Sequence, residues 1–270
     1  MPELPEVETT LRGIAPHMEQ QTIVEVIVRN PSLRWPVPAE VAAASGQAVI
    51  ACRRRAKYLL VELEQGGLMI HLGMSGSLRI CGPGDAPRKH DHVDIVMDSG
   101  RRVRFNDPRR FGALLWSASD PLEHPLLINS GPEPLTLELN GAYLHERSRG
   151  RKVSVKQFIM DHRVVSGVGN IYANETLFMS RINPLTPAGR ISHERYQRLT
   201  IAIKKTLRKA IAAGGTTVRD FQNETGDPGF FQLKLKVYGR NSEPCVVCGH
   251  VIRCIRNGQR STFYCPQCQR

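Results

Sequence analysis

The chain reads as an α+β protein of more than one domain, with β structure first, helices next and a metal-bound hairpin last. Three observations predict this order. Short apolar runs separated by Gly, Pro, Asp and Ser clusters fill residues 23 to 116, the spacing of an antiparallel sandwich or barrel. Apolar positions at helical spacing then dominate residues 153 to 213. Four of the seven cysteines close the chain in two pairs, Cys245 with Cys248 and Cys265 with Cys268.

The first element should be a helix, because Leu4, Val7, Leu11 and Ile14 recur on one face while Glu3, Glu6 and Thr10 share another. Pro5 is tolerated there, since first-turn N–H groups have no intrahelical partner. Strands follow at 23–28, 49–52, 58–63, 68–72, 92–97, 103–105 and 113–116. Pro- and Gly-rich passages at 121–125 and 131–134 read as a linker. Helices are expected at 153–161, 170–180 and 192–213, the last with Ser192 as N-cap, Tyr196, Leu199, Ile203 and Leu207 as its apolar stripe, and Gly214-Gly215 as its stop. Residues 222–229 have the composition of a loop and lie where a lid would be useful. The divisions expected are 1–130, 131–232 and 233–270.

Of the 270 residues, 37 are Lys or Arg and 25 Asp or Glu, a net charge of +12 with pI near 9.7. Such a balance favours a polyanion, nucleic acid first. Residues 231–270 carry seven basic residues and one acid, half of that excess. No apolar run approaches a membrane span, and the acidic start lacks the basic region of a signal peptide. Cys52, Cys81 and Cys254 are scattered and odd in number, which argues against a disulfide framework and fits a reducing cytoplasm.

Pro2 follows a methionine of the kind normally trimmed, which would leave a secondary amine at the start of a helix. Free α-amino groups titrate at about 7.7 to 8.0, against about 10.4 for lysine. The helix N-terminus lowers that further, and such amines form Schiff bases with aldehydes. The same hexapeptide is also what an ordinary helix start with first-turn acids looks like.

The cysteine spacing, two residues within each pair and sixteen between the pairs, matches a closed tetrahedral zinc site that stabilises a small hairpin. His250 and Cys254 are bystanders on that spacing. Arg260 in the hairpin could meet a phosphate or be a plain surface arginine. Gly167-Val168-Gly169-Asn170 places two glycines and an N-cap type of residue before a helix, a start that binds anions in some proteins and nothing in many. Lys57 joins the basic run Arg53-Arg54-Arg55 to an apolar strand, with its ammonium near the first helix or snorkelling to the surface. Met74 and Phe111 sit on Gly-rich loops, as wedges for a base stack or as core residues, and Arg109 could read an orphaned base. Lys89-His90-Asp91-His92 could be a metal half-site, a phosphate contact or neither.

Pro2-Glu3-Leu4-Pro5-Glu6-Val7-Glu8, Lys57, the Met74 loop, Asp107-Pro108-Arg109-Arg110-Phe111-Gly112, Gly167 through Tyr172 and the four-cysteine hairpin with Arg260 together resemble bacterial formamidopyrimidine-DNA glycosylases. The likeness spans the whole chain and keeps that family's motif order. It implies an N-terminal β-sandwich flanked by helices, a helix-two-turn-helix domain and a C-terminal zinc finger, with DNA in the cleft between. It also implies a monomer that excises oxidised purines from damaged duplex DNA and nicks the strand, with one structural zinc. By the same resemblance Pro2 is the nucleophile, Glu3 a proton donor, Lys57 the aid to β-elimination, and Arg260 a δ-elimination donor or phosphate ligand, the latter suiting its high pKa. His90, Arg151, Lys156 and Asn170 map onto DNA contacts. Met74, Arg109 and Phe111 map onto residues filling the vacated space, with Arg109 facing the orphaned cytosine. The sister endonuclease VIII type shares Pro2-Glu3 but acts on oxidised pyrimidines; Leu4 and the Arg109-x-Phe111 pair favour the purine enzyme. A noncatalytic zinc-ribbon DNA-binding protein would explain charge, zinc and helices but not the proline flanked by acids.

Overall fold

The computed structural model describes residues 2–215 and 235–270; the expected lid at 222–229 lies outside them. The described residues form two compact units, one of residues 2–128 with 213–215, the other of residues 129–212 with 235–270. Among them, no helix is long and apolar enough to cross a membrane.

The first unit opens with helix α1 (Leu4–Ile14) and continues through eight strands: β1 (Ile23–Val28), β2 (Val49–Arg55), β3 (Tyr58–Leu63), β4 (Gly67–His71), β5 (Ser77–Cys81), β6 (Asp91–Met97), β7 (Arg102–Asn106) and β8 (Ala113–Ser117). They build two antiparallel four-stranded sheets, ordered β1-β6-β7-β5 and β2-β3-β4-β8. One core joins them: Val93, Ile95, Val103 and Phe105 from the first sheet meet Leu59, Val61, Leu68 and Ile70 from the second, with Val7 and Ile14 of α1. The architecture is therefore the sandwich alternative. The second sheet is covered on its outer face as well, where Leu60 and Met69 pack on Leu127, so β3 is apolar almost throughout instead of alternating.

Two departures have physical causes. Strand β5 was not expected, because Arg79 interrupts its apolar pattern; the arginine is buried and its charge is met by Asp91, with Nη1 donating to Oδ1 at 2.9 Å. Strand β2 runs past Cys52 through the basic triplet, since Arg53 pairs with Glu62 at 3.1 Å and Arg54 with Glu8 of α1 at 3.0 Å.

The second unit holds α2 (Gly141–Ser148), α3 (Val155–Met160), α4 (Asn170–Met179), α5 (His193–Ala212) and a hairpin of β9 (Arg253–Asn257) and β10 (Arg260–Tyr264). Helix α2 was missed. It offers little apolar periodicity, but Asn140 caps it by accepting the Tyr143 N–H at 2.9 Å. The expected linker is pinned rather than loose, with the Gly131 N–H donating to the His162 carbonyl at 2.8 Å. Helix α4 is the post of this unit and is buried from Ile171 to Phe178. Its polar residues hold the metal finger: Glu175 accepts the backbone N–H groups of Lys236, Val237 and Tyr238, each at 2.9 Å, and Asn174 accepts that of Phe263 at 2.8 Å. Phe178 packs with Val237, Cys245, Ile252 and Cys265.

Candidate active site and nucleic-acid contacts

In the first unit, α1 begins directly after Pro2 and Glu3, and both residues are buried. Glu3 and Glu6 form a capping box, in which the Glu3 N–H donates to Glu6 Oε2 at 2.8 Å. The first turn is thus fixed by carboxylates beside the proline nitrogen. Gly215 returns to this turn with φ +89°; a Cβ there would lie 3.4 Å from Glu6 Cγ and Oε1, so the position suits a residue without a side chain.

Lys57 is half-buried in the two-residue connection between Arg55 and Tyr58, next to Ala56 at φ +56°. Arg54 moors this hairpin to α1 through Glu8 and donates to the Ala56 carbonyl at 2.9 Å. The Lys57 charge reaches His71 at the end of β4. Burial first, then the Lys57 and Arg34 charges, hold that imidazole down at about 4. It is a neutral acceptor for the Gly73 N–H at 3.0 Å, at the root of the Met74 loop.

The Met74 loop and the Asp107–Gly112 loop are locked together by one buried carboxylate. Asp107 accepts from Ser75 Oγ at 2.7 Å and from the Gly112 N–H at 2.7 Å, and the Arg109 N–H approaches it at 3.3 Å. Contact between the loops is close enough that a Cβ at Gly73 would lie 2.4 Å from Gly112 N. Phe111 is 45% exposed, with the Arg109 guanidinium 4.9 Å above its ring. Met74 is half-buried in the facing loop. His90, at φ +74°, offers its carbonyl to the Asp107 N–H at 3.0 Å, while His92 Nε2 meets the Asp107 carbonyl at 2.8 Å. The Lys89–His92 cluster therefore buttresses this loop.

In the second unit, Asn170 is the first residue of α4, and its N-cap is Gly169. That corrects the expected capping role: the Asn170 carbonyl accepts from Asn174 Nδ2 at 2.6 Å instead. Arg151 is exposed just beyond α2. Arg260 is exposed where β10 begins, and it lines a cavity of about 200 Å³ with Lys156, Gln157, Met160, Asp161, Asn257 and Gln259. Lys156, expected as a DNA contact, lies with Arg260 in the lining of this cavity. It is 1% exposed, and its ammonium donates to the Ser261 carbonyl at 2.8 Å and to Thr262 Oγ1 at 2.7 Å, so it braces the strand that carries Arg260.

The Sγ atoms of Cys245, Cys248, Cys265 and Cys268 lie within 4.8 Å of one another, with 3.9 Å between Cys245 and Cys268 and 3.5 Å between Cys248 and Cys265. Four thiolates about 2.3 Å from one zinc would stand roughly 3.8 Å apart, so the cluster fits one ion. His250 and Cys254 lie outside the cluster. Sequence reasoning quoted the Asp107 motif without seeing its role, and it missed Ser75, Asn174 and Glu175. Only the distance of their partners along the chain hid them.

A β-sandwich with an acid-capped start, a helical unit and a four-cysteine finger define a DNA glycosylase of the helix-two-turn-helix, zinc-finger class. Family models agree along the chain: the formamidopyrimidine-DNA glycosylase N-terminal domain matches residues 1–114, the H2TH domain of the same enzymes residues 130–222, and the zinc finger found in FPG and IleRS residues 242–270. Formamidopyrimidine-DNA glycosylases of Methylococcus capsulatus and Alcanivorax borkumensis are each 58% identical over the full length of both chains. The MutM (Fpg) structure from Thermus thermophilus is 36% identical with TM-score 0.89, covering 99% of this chain and 98% of that one. A MutM structure in complex with DNA containing carbocyclic 8-oxo-G is 29% identical with TM-score 0.90, covering 100% of both. The chain belongs to the formamidopyrimidine-DNA glycosylase family, and one structural zinc on Cys245, Cys248, Cys265 and Cys268 is part of it.

Proposed function

We propose that this chain excises oxidised purines, 8-oxoguanine and formamidopyrimidines, from duplex DNA in base excision repair and then nicks the strand. The observation that carries the mechanism is the buried first turn, where Pro2 adjoins Glu3 and Glu6 closes the cap. Removal of Met1 would expose the Pro2 nitrogen. A base inside the stack is inaccessible, so the damaged nucleotide is first extruded. Pro2 nitrogen attacks C1′, the bond from C1′ to the base breaks, and Glu3 delivers a proton to O4′ as the sugar ring opens. The resulting iminium acidifies the C2′ proton. Its loss expels the 3′ phosphate, with Lys57 assisting, and a second elimination expels the 5′ phosphate before hydrolysis frees the proline. Arg260 holds a phosphate, braced by Lys156. His90, Arg151, Lys156 and Asn170 contact the DNA, and Met74, Arg109 and Phe111 occupy the space left by the extruded base, with Arg109 toward the opposite cytosine. Zinc, when bound, holds the finger's shape. The protein acts as a cytoplasmic monomer, with 1–130 the catalytic part, 131–232 the helical DNA-binding part and 233–270 the finger.

Borohydride trapping tests the nucleophile, because only an imine is reduced to a stable amine link. Peptide mapping of the trapped product should place the sugar on Pro2, and protein retaining Met1 should bind lesion DNA without forming an adduct. An adduct on Lys57, or normal excision by the blocked protein, would overturn the assignment. Nicking assays on duplexes with single defined lesions separate purine from pyrimidine preference.

A further inference from the structure

Within the second unit, α4 and β10 run side by side in one direction. Asn174 accepts the Phe263 N–H, and one turn later Phe178 packs with Cys265. Asn170 and Arg260 therefore lie toward one end of this pair and the zinc ligands toward the other, about 15 Å of helix away. At the zinc end, Arg181, Arg195, Arg198 and Arg270 line one cavity of about 620 Å³ with Gln267, Cys248 and Cys268. It shares no lining residue with the cavity that holds Lys156 and Arg260. Among the described residues, no Asp or Glu lines it.

Four arginines line this hollow, and guanidiniums held close repel one another unless anions join them. Burial and the Arg198 charge both work against the charged form of Arg195, whose guanidinium donates to the terminal carboxylate of Arg270. The metal centre and the Arg270 carboxylate are partial counter-charges: one zinc with four thiolates carries a formal charge of −2 and the carboxylate −1, which leaves the four arginines one positive charge in excess. Beside the hollow, on the same loop as Cys248, Val246 and Val247 are 59% and 61% exposed. A hollow of this size takes a few side chains. Planar guanidinium forks pair well with carboxylates, and apolar side chains between the acids would cover Val246 and Val247.

We propose that this hollow is a docking site for a peptide segment of a partner protein, rich in Asp and Glu and carrying apolar residues, on a part of the unit separate from Asn170 and Arg260. The test uses the zinc-loaded full chain and a fluorescent synthetic peptide, Asp-Leu-Asp-Asp-Phe-Glu-Glu-Leu, followed by anisotropy. Binding should saturate at one peptide per chain, weaken with salt, and persist when lesion duplex is saturating. The double variant R181E/R198E should lose at least about tenfold in peptide affinity, the fold-change expected of lost charge-assisted pairs, while nicking lesion duplex at the original rate and retaining its zinc. Val247→Ser should weaken the peptide several-fold, and a peptide with Asn and Gln in place of the acids should not bind. Equal peptide affinity in R181E/R198E and the parent protein would overturn the proposal. Displacement of the peptide by duplex, or an equal loss of duplex affinity in the variant, would place the hollow in the DNA footprint. Loss of zinc from the variant would make the arginines counter-ions of the metal site.

Discussion

At Asp107 a single buried carboxylate gathers Ser75 from one loop and the N–H groups of Arg109 and Gly112 from the other, and so presents Phe111 and Arg109 without touching either side chain's end. Wedging into a stack offsets an unstacking cost of a few kcal/mol per step. Phe111→Ala should therefore slow excision from an intact lesion duplex by about tenfold or more, since about 1.4 kcal/mol is tenfold, while cleavage of a preformed abasic site stays nearly unchanged. Asp107→Ala should reproduce that pattern with Phe111 still present. Equal losses on both substrates would remove the wedge from the account. His71 carries a second residue-level expectation. Its folded value of about 4 lies below the usual 6.5, so the unfolded chain binds the extra proton first. Its stabilising contribution is full above pH 6.5 and is lost as pH falls toward 4. Thermal melts of His71→Gln across that window should show a shallower pH slope than the parent protein, and an unchanged slope would refute it.

Among the elements, the sheet β1-β6-β7-β5 is cross-braced by charge. Asp94, fully buried, accepts Arg104 Nε at 2.7 Å and Nη2 at 2.8 Å, and Arg29 Nη2 at 2.6 Å. Burial alone would raise its carboxyl, but the hydrogen bonds and charges of Arg104 and Arg29 outweigh it and hold it at about 2. Stability from this group is present above the usual carboxylate value near 3.8 and lost as pH falls through about 2. Asp94→Ala leaves Arg104 buried with Asp91, 3.8 Å away, as its remaining counter-charge, which should cost about 3 kcal/mol, whereas removing both charges together, Asp94→Leu with Arg104→Met, should restore most of it. Denaturant melts that rank the double variant no better than the single one would contradict this. The same bracing explains what the sequence hid. Arg79 and Arg104 look like surface residues until their partners, Asp91 and Asp94, are brought beside them by strand pairing, so the sequence shows no strand at β5. Helix α4 and the β3 run were legible as apolar segments because their surroundings bury them on every side. Helix α2 rests on one cap and a single fully buried leucine, Leu144, too little for periodicity to register.

For the molecule as a whole, most of the candidate site was legible because the chemistry-bearing residues sit in short local motifs, while the supports behind them join residues far apart in sequence. Lys156 reaches Ser261 and Thr262, and Asn174 reaches Phe263. The metal finger depends on both kinds of information. Four thiolates fill a tetrahedral ion and leave no open position for an activated water, unlike catalytic zinc with three protein ligands. The ion's part is to hold a two-stranded hairpin whose apolar support among the described residues is a small cluster with Phe178. Pro2 and Glu3 belong to the first unit, which has its own sandwich core. Removing zinc with a chelator, or substituting Cys268→Ser, should thus release Arg260 and lower affinity for lesion duplex by at least about tenfold, with nicking falling in step because less DNA is bound; phosphate contacts of this kind each steepen the salt dependence, so the zinc-free protein should also show a smaller salt slope. At protein concentrations high enough to saturate the duplex, borohydride trapping on Pro2 should return. If the zinc-free protein binds duplex normally yet fails to trap, the metal takes part in the chemistry; if it nicks normally at ordinary concentrations, the finger is dispensable for binding.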